Sequence, residues 1–248
     1  MPGASGAASL DQVAAAGDAT IPTWPHAGPA RHTLGWAGVR FRELAIPGVI
    51  EFTPQVCPDA RGQFGAPFQD TAFVRATGHP LRLAQANHSV SRRGVIRGVH
   101  FADVPPGQAK YVYCAHGALL DVAIDVRVGS PTFGRWVSVT LDARSYRAVY
   151  LAEGIGHAFL ALADGTVMAY LCSTGYHPAT ERSVSALDEA LRLPWPASLD
   201  VMLSERDRAA PTLAEAAAAG ILPRWQDCLA RYAELRAAHP SPAAGPVG

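Results

Sequence analysis

The sequence predicts an all-β domain, an antiparallel sandwich or barrel, with a short helical appendix at its C-terminus. From about Phe41 to Val201, runs rich in Val, Ile, Tyr and Phe alternate with Gly, Pro, Asp and Asn. These runs often recur about every ten residues, which is typical of antiparallel strands joined by turns. Residues 213–239 have a helical pattern instead, interrupted near Gly220 and Pro223.

Three regions follow one another along the chain. Residues 1–39 are rich in Ala, Gly and Pro and are expected to form a flexible leader. We expect the β domain over 40–212 and the helical segment with its tail over 213–248. Within the domain, the predicted strands are 95–101, 110–117, 119–127, 135–141, 146–152 and 166–172.

The charge balance argues against two classes of protein. Among 248 residues there are 21 basic and 21 acidic side chains, so the formal net charge is zero. A nucleic-acid binder or a polybasic membrane protein would have a basic excess. No apolar run approaches the ~20 residues of a membrane span, and the first residues do not resemble a signal peptide. We therefore expect a cytoplasmic protein that binds neither nucleic acid nor membrane.

The cysteines and the lysine content are also informative. The four cysteines are scattered, without the paired spacing of a zinc ribbon or a small disulfide framework, so reduced and mostly buried thiols are predicted. Lys110 is the only lysine among the 21 basic residues. In a chain so biased towards arginine, a single lysine is either chance or a position that needs a compact ammonium group.

Several polar side chains fall within the predicted strands. His100, Lys110 and Tyr170 could supply a base, a cation and an acid for removing a proton next to a carbonyl group. Taken singly, a histidine or tyrosine in a strand fits core packing equally well. If its strand is regular, Arg97 lies on the opposite face from His100.

Longer segments carry a resemblance to a known family. Residues 85–112 (QANHSVSRRGVIRGVHFADVPPGQAKYV), 121–136, 152–162, 167–178 and 203–211 (LSERDRAAP) resemble dTDP-4-dehydrorhamnose 3,5-epimerase, in order and with the spacing kept. The resemblance runs from about Phe41 to Trp225. It implies a cupin-like jelly-roll homodimer that epimerises a nucleotide sugar, dTDP-4-keto-6-deoxy-D-glucose, at C3 and C5 to give dTDP-4-keto-L-rhamnose.

The resemblance also assigns roles to individual residues. It makes His100 the general base, Asp207 the carboxylate paired with it, Lys110 the cation at the developing enolate and Tyr170 the acid on the opposite face of the sugar. It places Arg61 and Phe64 near a substrate site at the dimer interface. The complete set of substrate-binding residues implied is Arg61, Phe64, Gln85, Asn87, Arg97, His157, Tyr176 and Arg206.

A metal site is not expected, although many cupins bind a metal. Their sites resemble HxH followed by Glu and a later His, whereas here Ala102 stands two residues after His100. Lys110 lies in the same stretch, and its charge would repel a metal ion. We expect no metal and no other cofactor.

Two departures from the family pattern leave the outcome of the reaction open. The family's DxRGxFxE becomes DARGQFGA, with Ala66 at the glutamate position, and its HxQ becomes His100-Phe101-Ala102, followed by Asp103. The alternatives are a mono-epimerase at C3 or C5, or a ketoisomerase, of an antibiotic deoxysugar pathway. A non-catalytic cupin that binds a nucleotide sugar is a further alternative.

Overall fold

The computed structural model describes residues 38–239, so most of the predicted leader and the end of the tail lie outside the described residues. Within these residues, one helix interrupts the succession of strands, and three further helices follow the last strand. Their bounds are β1 Arg40–Glu43, β2 Val49–Thr53, β3 Val56–Asp59, β4 Gly62–Gly65, α1 Asp70–Thr77, β5 Gln85–Ser91, β6 Ile96–Ala102, β7 Lys110–His116, β8 Ala118–Asp125, β9 Trp136–Asp142, β10 Ala148–Leu151, β11 Ile155–Ala161, β12 Thr166–Cys172, β13 Glu181–Ser183, α2 Glu205–Arg208, α3 Leu213–Ala218 and α4 Trp225–Ala237.

Two antiparallel sheets make up the domain. The six-stranded sheet has the order β1-β2-β10-β7-β12-β5, and the five-stranded sheet has the order β13-β6-β11-β8-β9. Strands β3 and β4 form a separate hairpin. Each strand predicted from the sequence is present, with bounds shifted by at most a few residues. The all-β fold class is thus confirmed.

The space between the two sheets is filled by one apolar cluster. Val112 and Cys114 of β7 pack there against Ala123 of β8 and Phe159 of β11. Because side chains alternate along a strand, these residues identify the inward faces of both sheets. A polar residue that lies an even number of positions from one of these residues, on the same regular strand, also points into the interior.

Both outward faces are covered as well. Beyond the five-stranded sheet, Phe101 and Val122 pack against Val184 and Leu213 from the C-terminal third of the chain. Beyond the six-stranded sheet, an aromatic cluster joins α1 to the strands, with Phe73 edge-on to Tyr150 at 4.9 Å. This coverage explains why β8, β10 and β11 are buried almost throughout.

The helical appendix is confirmed, and its interruption falls between α3 and α4. A fully buried arginine anchors α4. Arg127 donates from Nη2 to Asp125 Oδ2 at 2.8 Å and from Nη1 to the Tyr232 hydroxyl at 3.1 Å, and its guanidinium lies 4.4 Å from the Trp225 ring centroid. Within residues 38–239 no helix is both long and apolar enough to cross a membrane.

Candidate active site

An irregularity in β6 determines which of its side chains point inward. His157 of β11 pairs with His100, whereas Phe159, two residues further, pairs with Arg97, so β6 carries an extra residue between the two pairs. A β-bulge of this kind redirects side chains. Arg97 and His100 therefore share the inward face of Phe159. The expectation for a regular strand, which put them on opposite faces, is wrong.

His100 is hydrogen-bonded to a buried carboxylate. Its Nε2 lies 2.6 Å from Asp207 Oδ1, and the Asp207 side chain is only 5% exposed. Burial alone would raise the pKa of Asp207. The hydrogen bond and the charge of His100 lower that pKa, as do hydrogen bonds from Ser204 and from the Gly98 backbone. An ionised carboxylate only accepts, so Nε2 carries the proton and Nδ1 is left with a free lone pair.

The short helix α2 positions this carboxylate. Ser204 is its N-cap, and the Ser204 hydroxyl accepts a hydrogen bond from the Asp207 backbone N–H at 3.0 Å. The cap satisfies one of the amides that a helix start leaves unpaired. It also places Asp207 in the first turn, where a negative charge is favoured.

Lys110 and Tyr170 lie on the opposite sheet. Tyr170 of β12 pairs with Val112 of β7, and Cys172 pairs with Lys110. Val112 belongs to the apolar cluster between the sheets, against which Tyr170 also packs. Lys110 and Tyr170 therefore face the interior from the six-stranded sheet, while His100 faces it from the five-stranded sheet.

Electrostatic interactions connect these two walls. Burial lowers the pKa of Lys110, and Glu181, Cys172 and Asp121 oppose that change. Glu181 and Asp121 belong to the five-stranded sheet, so the ammonium group lies within reach of both walls. Burial raises the pKa of Tyr170, which keeps its phenol protonated and able to donate.

A chain of hydrogen bonds orients polar side chains on β5, the edge strand of the six-stranded sheet. Gln85 Nε2 donates to Asn87 Oδ1 at 2.7 Å, and Gln85 Oε1 accepts from the Tyr176 backbone N–H at 2.8 Å. Asn87 is the register partner of Tyr170, so Gln85 and Asn87 face inward too. The Tyr176 ring is 56% exposed and is free to stack on a flat group.

A second histidine–carboxylate pair lies beside the first. His157 Nε2 is 2.7 Å from Asp121 Oδ2, and both residues are buried. His157 is the register partner of His100 on the neighbouring strand. The imidazoles of His100 and His157, each hydrogen-bonded through Nε2 to a carboxylate, thus lie side by side on the five-stranded sheet.

Two arginines share a cleft with the first pair. The cleft measures about 390 Å³ and is lined by Arg97, His100, Arg206 and Asp207 among others. Arg97 is held by hydrogen bonds to the Ser91 hydroxyl at 3.2 Å and the Val90 carbonyl at 3.3 Å. Guanidinium groups in such a place suit the oxygens of a diphosphate.

Arg61 and Phe64 are not brought to this site. They lie on the β3–β4 hairpin, where Arg61 pairs with Asp59 at 2.5 Å and Phe64 is 57% exposed. The hairpin reaches the β9–β10 turn through Gln63, which donates to the carbonyl of Ala143. Within residues 38–239, no hydrogen bond or ion pair links Arg61 to His100 or Lys110.

Three residues of the interior were not singled out from the sequence as site residues in their own right. Asp121 and Asp125 both interrupt the apolar run LLDVAIDV, and nothing in that pattern marks Asp121 as the partner of a histidine. Cys172 is one of four scattered cysteines, and no motif distinguishes it from the others. Glu181 lies on the short strand β13 and acts on Lys110, Tyr170 and Cys172 through its charge.

The cysteines are free within the described residues, and only Cys57 is exposed. Among residues 38–239, no three or more His, Cys, Asp or Glu side chains are grouped as ligands of a metal ion would be.

Known proteins match this chain in sequence and in fold. The profile of the dTDP-4-dehydrorhamnose 3,5-epimerase family matches residues 43–215. The 3,5-epimerase of Mycolicibacterium smegmatis is 52% identical, over 79% of this chain and 96% of that protein. A dTDP-4-dehydrorhamnose 3-epimerase from Streptomyces niveus is also 52% identical, over 85% of this chain and 98% of that protein.

Solved structures agree in fold. The rmlC epimerase of Mycobacterium tuberculosis is 46% identical with a TM-score of 0.77, over 79% of this chain and 100% of that one. ChmJ, a 3'-monoepimerase from Streptomyces bikiniensis in complex with dTDP-quinovose, is 47% identical with a TM-score of 0.77. The match covers 78% of this chain and 98% of ChmJ. The cupin-like expectation is confirmed, and the chain belongs to the dTDP-4-dehydrorhamnose 3,5-epimerase family.

Proposed function

We propose that this protein is an isomerase that epimerises dTDP-4-keto-6-deoxy-D-glucose at C3 and C5, giving dTDP-4-keto-L-rhamnose. The 52% identity to the 3,5-epimerase of Mycolicibacterium smegmatis supports the substrate and the reaction. The observation that carries the proposal is the placement of His100 and Tyr170 on facing sheets. Inversion of a carbon needs a proton removed from one side and returned from the other, and these residues supply both sides.

The first step is removal of a proton next to the C4 ketone. His100 Nδ1 accepts it, because Asp207 holds the Nε2 proton at 2.6 Å. As the imidazole becomes a cation, the buried carboxylate stabilises that charge. The bond to Asp207 also fixes the direction in which Nδ1 points.

The enolate that results places negative charge on the C4 oxygen. Lys110 is the cation that stabilises it, and its partial burial strengthens the interaction relative to water. The protonated phenol of Tyr170 then delivers a proton to the opposite face of the carbon. His100 then loses its extra proton to water and Tyr170 regains one, and the same steps at the second carbon complete the double inversion.

The remaining polar residues hold the nucleotide and the sugar. Arg97 and Arg206 bind the diphosphate in the cleft beside His100. Gln85 and Asn87 bind the substrate at the rim of the opposite sheet, and the exposed Tyr176 ring stacks on the base. His157, held by Asp121, faces the sugar beside His100.

Product analysis by NMR tests the proposal. After incubation with dTDP-4-keto-6-deoxy-D-glucose, the ring coupling constants should report inverted C3 and C5. Inversion of one carbon would make the protein a mono-epimerase, as the identity to the Streptomyces niveus 3-epimerase and ChmJ allows. A ketone moved to C3 would indicate a ketoisomerase, and unchanged substrate that remains bound would indicate a binding protein.

Asp207→Asn should lower the turnover rate by roughly 10³-fold without abolishing it, because the amide favours the wrong tautomer of His100. The initial rate of epimerisation, followed by NMR, measures the loss. Asp200→Asn is the matched control, since Asp200 is exposed on a loop. Equal rates for Asp207→Asn and the control would show that Asp207 does not assist His100.

Lys110→Arg should lower turnover by roughly 10²-fold although the charge is kept. Arginine is larger and spreads its charge over a planar fork, so it cannot act as a point charge at one oxygen. Steady-state kinetics should place the loss in kcat rather than KM. Lys110→Met gives the turnover rate without any charge at this position. Near-normal turnover of Lys110→Arg would show that the reaction does not require a lysine there.

The protein should also form a homodimer in which the β3–β4 hairpin reaches the neighbour's site. The support is that Phe64 and Arg61 are both exposed, on a hairpin that contributes to neither large sheet. Sedimentation should give the mass of a dimer, and Phe64→Ala should raise KM. A fully active monomer at assay concentration would contradict this.

The cytoplasm is the proposed location. The thiols described are all free, as expected of a reducing compartment.

A further inference from the structure

A second cavity of about 270 Å³ lies on the outward side of the six-stranded sheet, beneath α4. Tyr150 of β10 lines it, as do Glu153, Arg231 of α4 and the segment 79–84. Ala109 and Ser173 line it too, whereas their chain neighbours Lys110 and Cys172 face inward. The sheet therefore separates this cavity from the candidate active site.

Two buried polar atoms of its walls are left without partners. Glu153 is 2% exposed, and its Oε2 has no hydrogen-bond partner within residues 38–239. Nε of Arg231 is likewise buried without one, although Nη1 of the same side chain bonds Glu234 at 3.2 Å. Buried groups of this kind are nearly always paired, so each atom calls for a partner that residues 38–239 do not supply.

The charges around the cavity indicate what that partner is. Arg82 and Arg231 are permanently positive, and Glu153 is the only carboxylic acid among the described residues of the lining. Burial raises the pKa of Glu153, although the Arg231 charge opposes the change. The raised pKa favours the protonated carboxyl group, which can donate a hydrogen bond as Arg231 Nε does, and one acceptor in the cavity would pair with both groups. An amine would be repelled by the two guanidinium groups.

We propose that this cavity binds a small oxyanion, a carboxylate or a phosphate, between Arg231 and the carboxyl group of Glu153. The volume is just below the ~300–1,000 Å³ of pockets for drug-sized ligands, which favours a small anion. His79 is 6% exposed, and its Nδ1 lies 3.1 Å from the Pro80 carbonyl, which orients the imidazole in the wall formed by residues 79–84.

Calorimetric titration with inorganic phosphate and with acetate tests the proposal. Both titrations are run on the full chain with and without saturating dTDP, so that binding in the candidate active site is recognised by its competition with dTDP. Wild type should bind at least one of the two anions in the presence of dTDP. Arg231→Gln should weaken that binding by at least about tenfold, as loss of a charge-assisted hydrogen bond predicts.

Three further variants make the result specific. Arg192→Gln, on an exposed loop, is the matched control and should bind as wild type does. Arg82→Gln changes an exposed side chain, so it should fold normally and still bind several-fold more weakly. Glu153→Gln should keep its affinity, because the amide N–H replaces the acid O–H.

Three outcomes would overturn the proposal. The first is that wild type binds neither anion in the presence of dTDP. The second is that Arg82→Gln and Arg231→Gln both bind the anion as tightly as wild type does. The third is that wild type binds glycine but not acetate, and that Glu153→Gln abolishes the binding of glycine. The last result would show that Glu153 accepts a hydrogen bond from a ligand amine. None of these outcomes depends on epimerase activity, which is measured separately.

Discussion

The His100→Ala variant is expected to stop exchange of the C3 and C5 protons of the substrate with solvent. Epimerisation should fall by about 10⁴-fold, the upper end of what a positioned general base contributes. The physical reason is that His100 Nδ1 is the lone pair left free by the bond to Asp207. Deuterium wash-in, followed by mass spectrometry, measures the loss.

A matched histidine-to-alanine variant distinguishes loss of the catalytic base from a general effect on folding. His88→Ala removes an exposed imidazole from β5 and should exchange at the wild-type rate. If His100→Ala also exchanged at that rate, His100 would not be the base. The neighbouring His157, tied to Asp121 in the same manner, would then be the first residue to substitute.

The Tyr170→Phe variant is expected to separate proton removal from proton return. His100 and Lys110 are untouched, so the enolate still forms and exchanges its proton with solvent. Without a donor on the opposite wall, His100 returns the proton from the side it left. Deuterium should enter the substrate with its configuration retained, while formation of the epimer falls by about 10²–10⁴-fold. Mass spectrometry gives the isotope, and NMR gives the configuration.

Packing alone would give a different result. Tyr170 touches the apolar cluster between the sheets, and if that were its only role, the phenylalanine variant would epimerise normally. Tyr113→Phe, on the outward face of the neighbouring strand, controls for loss of a hydroxyl in a strand. Efficient inversion by Tyr170→Phe would assign the acid to another group, with Tyr176 the next to test.

The strands that sequence patterns predicted are those rich in β-branched and aromatic residues, such as β8 and β12. Strand β11 was missed because it is buried on both faces, so IGHAFLA shows no alternation. Strand β5 was missed for the opposite reason. QANHSVS is polar because β5 lies at the edge of its sheet, and Asn is rare in strands.

The site was only partly accessible to sequence reasoning. His100 and Asp207 are 107 residues apart, and no local pattern joins them, so their pairing came from family resemblance alone. The parity argument for Arg97 failed because a β-bulge has no reliable sequence signal. Asp121 was overlooked because a carboxylate in an apolar run, which here also contains Asp125, does not reveal its histidine partner.

The central claim is that an enolate forms between a base on one sheet and an acid on the other. The most direct measurement is an NMR time course of wild-type protein with dTDP-4-keto-6-deoxy-D-glucose in D₂O. Every inverted carbon should carry solvent deuterium, at both C3 and C5, because the incoming proton comes from a group that exchanges with water. Inverted carbons that keep their original hydrogen would contradict the account.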